Sequence, residues 1–175
     1  MRGDAALRRE LDAASGLRVA EDYRANLAAL KTKPGHAISV LPDGRDRMAR
    51  FNCFAYALGI WDHAEFVRMV DDSNNSAIAD SRFVLAMLDE GALTEVISHQ
   101  PEIGDIAIYF RDGSVTHAGA VSGNRDGLVL RSKWGGNEVH EHVLWEVPAS
   151  YGDHARFFRA PGADMILCRL RARRP

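Results

Sequence analysis

Cysteine is scarce in this chain. Two residues of 175, Cys53 and Cys168, give neither a disulfide framework nor a zinc-binding spacing, so each thiol has to be explained singly. Long apolar runs are missing as well; nothing approaches the ~18 consecutive residues of a membrane-spanning helix. Charge of one sign is not in excess, because 22 basic residues face 24 acidic ones for a net −2. That balance argues against a nucleic-acid partner, which calls for a basic face. The arginines at 169, 171, 173 and 174 read as a short solvated tail. The first 22 residues mix charges with small side chains and lack the apolar centre of a signal peptide. The expectation is a chain made in the cytoplasm, acting there or exported without a cleavable signal, with no membrane partner. What is present is an ordinary globular composition, 46% hydrophobic and 26% charged, long enough for one core.

Periodicity divides the chain. Leu7, Leu11, Leu17, Ala20, Tyr23, Leu27 and Leu30 recur mostly at three- to four-residue steps, which predicts one or two helices over 4–31. Residues 1–31 read as a helical extension ahead of a domain over 32–175. The stretch 33–50 carries Pro34-Gly35 and Pro42-Asp43-Gly44 and reads as loop around a short apolar run, 37–41. Helical patterns return over 52–70, interrupted at Gly59, and over 76–90, ending at Gly91. Beyond that the period shortens to two. Strands are expected at 94–98, 105–110, 115–121, 128–134 and 165–170, with 138–147 as a further candidate, and turns between several of them. Helices first and an antiparallel sheet afterwards make the class α+β, a helical N-terminal half packed on a sheet.

Two residues carry the chemistry. Cys53 opens a predicted helix in Arg50-Phe51-Asn52-Cys53-Phe54-Ala55-Tyr56. A thiol there has its thiolate favoured by the helix dipole and by unpaired backbone N–H groups, which predicts a depressed pKa. The same N–H groups can hold an oxyanion. A thiolate nucleophile needs a base brought from elsewhere in the fold, and His117 is the candidate. It sits in Val115-Thr116-His117-Ala118-Gly119-Ala120, where small neighbours leave room for another element to approach. Asn52 either caps the helix, as Asn prefers to, or contributes directly to the site. Cys168 reads as a buried strand residue without chemistry. His36, His63, His99 and His154 show no ligand spacing. His140 and His142, with Asp153 and His154 downstream, leave zinc as a minor alternative; neither a metal nor any other cofactor is expected.

The order of these pieces resembles the NlpC-type and CHAP families of bacterial cysteine peptidases and amidases, within the papain-like superfamily. Phe51-Asn52-Cys53 is similar to their helix-opening cysteine, Ile103-Gly104-Asp105-Ile106-Ala107-Ile108-Tyr109 to their Gly-Asp strand, and His117-Ala118-Gly119-Ala120-Val121 to their histidine strand. The chain also resembles, more closely, a set of uncharacterised bacterial proteins with elements like Ser132-Lys133-Trp134-Gly135 and Tyr151-Gly152. The resemblance implies a papain-like fold in which a third residue on the next strand orients the histidine. Ser132 stands where an amide is expected and ranks first; His142 ranks second, with Asn137 and His140 as further alternatives. Trp134 either roofs His117 or packs as core.

The activity so implied is a thiol-dependent peptidase or amidase acting on an amide or isopeptide bond in a peptide or protein substrate. A bacterial effector toxin with an immunity or inhibitor protein as partner is one setting for it. If an amine replaced water as acceptor, the same residues would run a transglutaminase-type transfer, and a glutamine side chain as substrate would make a deamidase. The rival reading is a catalytically inactive papain-like domain that binds a protein.

Overall fold

The structure is a computed structural model that describes residues 4–15, 35–41, 51–75, 78–97, 101–124, 127–135 and 138–173, with scattered positions between 22 and 29. Among them are seven strands: β1 (Ser39–Val40), β2 (Thr94–Val96), β3 (Ile106–Arg111), β4 (Ser114–Asn124), β5 (Leu128–Lys133), β6 (Val139–Val143) and β7 (His154–Arg159). They form one antiparallel sheet in the order β1-β6-β5-β4-β3-β7-β2. The class is α+β, as the change of period predicts.

Alternation along each strand sends side chains to two separate cores. Ile106, Ile108 and Phe110 of β3 enter the first, with Val115 and Ala118 of β4 and Phe158 of β7. Four helices cover that face: α2 (Cys53–Ala57), α3 (Ala64–Ser73), α4 (Ser81–Asp89) and α5 (Ala163–Ala172). Each presents an apolar stripe at helical spacing, for example Phe66, Met69 and Val70 on α3. Side-chain caps fix three of the starts. Asn52 accepts from Ala55 N–H, His63 from Glu65 N–H and Asp80 from Phe83 N–H. The second core holds Ala107, Tyr109, Val121, Leu130, Trp134 and Phe157, and α1 (Ala5–Ser15) closes it through Leu11 and Ala14.

Four sequence expectations change. Residues 165–170 belong to helix α5 and not to a strand, because Ile166, Leu167 and Leu170 lie at helical spacing on its buried side. Asp164 in its first turn and Arg169 and Arg171 in its last also suit the helix dipole. Cys168 is consequently exposed, not buried. Strand β7 escaped the sequence reading because its arginines hide the alternation; Arg156 bonds Glu95 at 2.8 and 2.6 Å across β2. The expected extension over 1–31 is, in its described part, integral. Leu11 of α1 is fully buried, and Arg8 donates to the carbonyls of Val147, Pro148 and Gly152. The remaining stretch of that expected helix lies largely outside the described residues, as does Asn137.

Two loop contacts position the sheet's functional end. Asp105 is buried and receives Arg159 Nε at 2.8 Å and Glu102 N–H at 2.8 Å, so the Gly104-Asp105 pair clamps the entry to β3. Burial works against its charge, but the Arg159 bonds hold its carboxyl below the usual carboxylate range. A 3₁₀ turn, Ala149–Tyr151, then delivers Gly152 against the middle of the sheet. Gly152 has φ +119°, and a Cβ there would lie 2.2 Å from the Phe110 carbonyl oxygen. Neither the backbone angle nor the space admits a side chain. Gly152→Ala is expected to destabilise the fold by at least about 3 kcal/mol. Chemical unfolding measures this, and an unchanged midpoint would refute the close approach.

Candidate functional site

The sheet opens between β4 and β5. Their pairing runs from Asn124↔Leu128 to Ala120↔Arg131, and the next register position, Gly119 against Ser132, is a close crossing. A Cβ on Gly119 would meet Ser132 Cβ at 3.1 Å and Arg131 O at 3.2 Å. The small residues after His117 therefore admit two neighbours, β5 at Gly119 and the end of the Cys53 helix at Ala118. Past that crossing β5 pairs with β6 alone, through Ser132↔His140 and Lys133↔Val139.

Cys53 comes to this opening from the first core as the first residue of α2. Three backbone N–H groups face its sulfur, those of Ala118, Cys53 itself and Phe54, and Lys133 adds positive charge. Lys133 is buried, with its ammonium 4.5 Å from the centre of the Phe51 ring. Burial nevertheless outweighs all of these and pushes the thiol up to about 11. This reverses the depressed pKa expected from the sequence. Helix α2 has five residues, too few to add a strong macrodipole to its local N–H groups. At neutral pH Cys53 is a thiol.

His117 lies in β4 opposite Tyr109, on the second face of the sheet. It is buried; its ring stacks on Tyr151 at 3.9 Å and 18°, and Tyr109 lies at 5.5 Å. Its Nε2 is buried without a hydrogen-bond partner. Burial, and then the neighbouring His142 and His140, hold its pKa well below the ordinary 6.5. His117 is therefore a neutral imidazole. The structure brings it to the strand residue next to the one whose N–H faces Cys53, but no hydrogen bond joins the two side chains.

Ser132 and His142, the first- and second-ranked third residues, are spoken for. His142 Nδ1 lies 2.9 Å from the Val143 carbonyl, which can only accept, so that nitrogen carries the proton. His142 Nε2 then accepts from Ser132 Oγ at 2.8 Å, and Ser132 Oγ accepts from Trp134 Nε1 at 2.9 Å. This chain of three is buried and satisfied, and none of its bonds reaches His117 Nε2. Trp134 stacks on His140 at 4.1 Å and 9°, so it roofs His140, and Tyr151 covers His117. Asn52 is committed too. Its Oδ1 caps α2 and its Nδ2 donates one of its two protons to the Ala79 carbonyl at 2.9 Å, which fixes the amide as part of the helix start. Asn52 is a cap, and Trp134 is core.

Residues outside the expected set complete the site. Tyr151 has the Gly135 N–H facing its phenol oxygen and lies within electrostatic range of Cys53. Lys133 and Gly135 belong, with Ser132 and Trp134, to the Ser-Lys-Trp-Gly run, and Tyr151 to the Tyr-Gly pair. The sequence signal was thus present, but as a motif without assigned roles. Among the described residues no three metal-ligating side chains cluster, and no helix is long and apolar enough to cross a membrane. Beyond Tyr56 on α2 a cleft of about 430 Å³ opens, walled by Trp61, Ile103, Ala120 and Pro161, with Arg131 at its side.

A family described as a domain of unknown function, DUF7689, matches residues 43–159. The chain belongs to that family. The DUF7689 span takes in Cys53, His117, the Ser-Lys-Trp-Gly run and Tyr151, and leaves α1 and α5 outside. No curated protein and no solved structure matches the chain.

The buried histidines set an acid limit on the fold. Burial lowers His142 from 6.5 to about 4 in the folded chain, whereas the unfolded chain takes up that proton near 6.5. Between these values the unfolded state binds more protons, so stability is lost as pH falls through the window, by about 3 kcal/mol for this group. His117 acts in the same direction. Urea unfolding from neutral pH down to about pH 4 reads the slope, and His142→Gln is expected to flatten it. An equal slope in wild type and variant would exclude His142 as its source.

Proposed function

We propose that this DUF7689 chain is a papain-like, thiol-dependent hydrolase of amide bonds, with Cys53 as nucleophile and His117 as base. The observation that carries the reading is the set of three backbone N–H groups around the Cys53 sulfur, one of them from Ala118, next to His117. Such groups do little for a neutral thiol, but they stabilise negative charge at the sulfur or on an oxygen bonded beside it.

Neutral partners suit general-base catalysis better than a standing thiolate–imidazolium pair. Cys53 Sγ attacks the carbonyl carbon as His117 takes the thiol proton, and the oxyanion is held by the backbone N–H of Cys53. The C–N bond breaks as His117 protonates the leaving amine. Water, deprotonated by His117, then attacks the thioester, releasing the carboxylic acid and restoring the thiol. No hydrogen bond joins Cys53 and His117 in the resting chain, so this route requires substrate binding to bring the thiol and the imidazole together at the open end of the sheet. The cleft beyond Tyr56, apolar with one guanidinium, suits a peptide segment as substrate.

One observation favours the rival reading of an inactive, protein-binding papain-like domain: the thiol rests at a pKa of about 11 while His117 Nε2 bonds to nothing. An activated ester separates the two. The enzyme reading expects p-nitrophenyl acetate to acetylate Cys53 ahead of the exposed Cys168, with turnover falling at least about hundredfold in Cys53→Ala and in His117→Ala. It also expects a rate nearly flat from about pH 7 to 9, since His117 is already neutral and Cys53 still protonated there. Acetylation confined to Cys168, or indifferent to His117, would assign the chain to the binding class.

A further inference from the structure

His117 Nε2 meets no hydrogen-bond partner, so no polar group holds that end of the imidazole. An aromatic face does. Tyr151 lies 3.9 Å from the His117 ring centroid at 18°, a parallel stack and the closest ring pair among the described residues. Tyr151 is itself held through its backbone: its carbonyl accepts from Thr116 Oγ1, one residue before His117, and the Gly135 N–H faces its phenol oxygen. The turn that carries it is held from α1, where Arg8 donates to the carbonyls on either side and Asp12 receives the Ser150 N–H and hydroxyl. Gly152, which tolerates no Cβ, seats the turn against Phe110. These contacts leave the Tyr151 ring little freedom, and the ring transmits that constraint to His117.

We propose that Tyr151 is the positioning residue of His117, doing by ring stacking what a hydrogen-bonding third residue does in a catalytic triad. The electron-rich face of the phenol also attracts the imidazolium that forms when His117 takes the thiol proton. This inference rests on the hydrolase reading above and assigns the place that Ser132 and His142, bonded to each other, leave open.

A double-mutant cycle on Cys53 acetylation by p-nitrophenyl acetate tests it, with circular dichroism as the check on folding. In wild type, His117→Ala is expected to slow acetylation by at least about tenfold. In Tyr151→Leu, which keeps bulk but has no aromatic face, that dependence on His117 should shrink below about twofold. Tyr151→Phe retains the face and should keep it within about threefold of wild type. A residue that served only to fill space would be replaced as well by Leu as by Phe. Should Tyr151→Leu fail to fold, the wild type answers alone: a stacked His117 has its ring protons shifted upfield by the phenol in the NMR spectrum, and ordinary shifts would overturn the stack. Dependence on His117 that persists in Tyr151→Leu overturns the positioning role and leaves the hydrolase standing. A wild type indifferent to His117→Ala overturns the hydrolase, and this role with it.

Discussion

Where β4 and β5 cross at Gly119 and Ser132, the backbones come so close that a single methyl group would push Ser132 and the Arg131 carbonyl away. The rest of the site is threaded through that crossing. Because β5 continues past it in register with β6, Ser132 turns into the second core to join Trp134 and His142. Lys133 turns into the first, over Phe51 and toward Cys53. Gly135 follows with an N–H for the Tyr151 phenol. Alternation along one strand thus divides its side chains between the thiol's face and the imidazole's face, and both depend on one missing Cβ.

Much of this was legible in order but not in role. The change from helical to two-residue period located five of the seven described strands, because each run buries one face or both; the short β1 lies in a stretch read as loop around an apolar run. It failed at 165–170, where a four-residue apolar run fits helix or strand equally and only Leu170 beyond it decides. It failed at 154–159, where Arg156 and Arg159 make ion pairs at the sheet's side and mask the buried Phe157 and Phe158. The Gly-Asp pair was visible as a motif, yet its work is mechanical: Asp105 ties the loop to Arg159. Asn52 was visible as cap or catalyst, and its second bond, to Ala79, could not be read from local sequence because the partner lies 27 residues away.

Helix-terminal N–H groups and burial act on Cys53 in opposite senses, and local sequence records only the first. A cysteine at the head of a helix reads as acidic. Here the helix is five residues long and packs directly against β4, so the N–H groups come with the desolvation of the sheet beneath them. The two cannot be separated, since the Ala118 N–H reaches the sulfur only because α2 lies close on the strand. On the other face of the sheet, burial and the adjacent His142 and His140 hold His117 neutral. Proton transfer between two neutral groups needs no standing ion pair and draws on the N–H groups only as charge develops.

This reasoning gives α1 a part that its position ahead of the DUF7689 span conceals. The histidine strand and the cysteine helix both lie inside the matched residues, but the turn that bears Tyr151 is fastened to Arg8 and Asp12. Arg8 is nearly buried, and its guanidinium serves three main-chain carbonyls that would otherwise be left in the interior with fewer partners. An aromatic ring can order a histidine only as firmly as the ring itself is held. A stacking contact lacks the direction of a hydrogen bond, so the restraint has to come from the backbone behind Tyr151. In this fold it comes from Gly152 on one side and from α1 on the other.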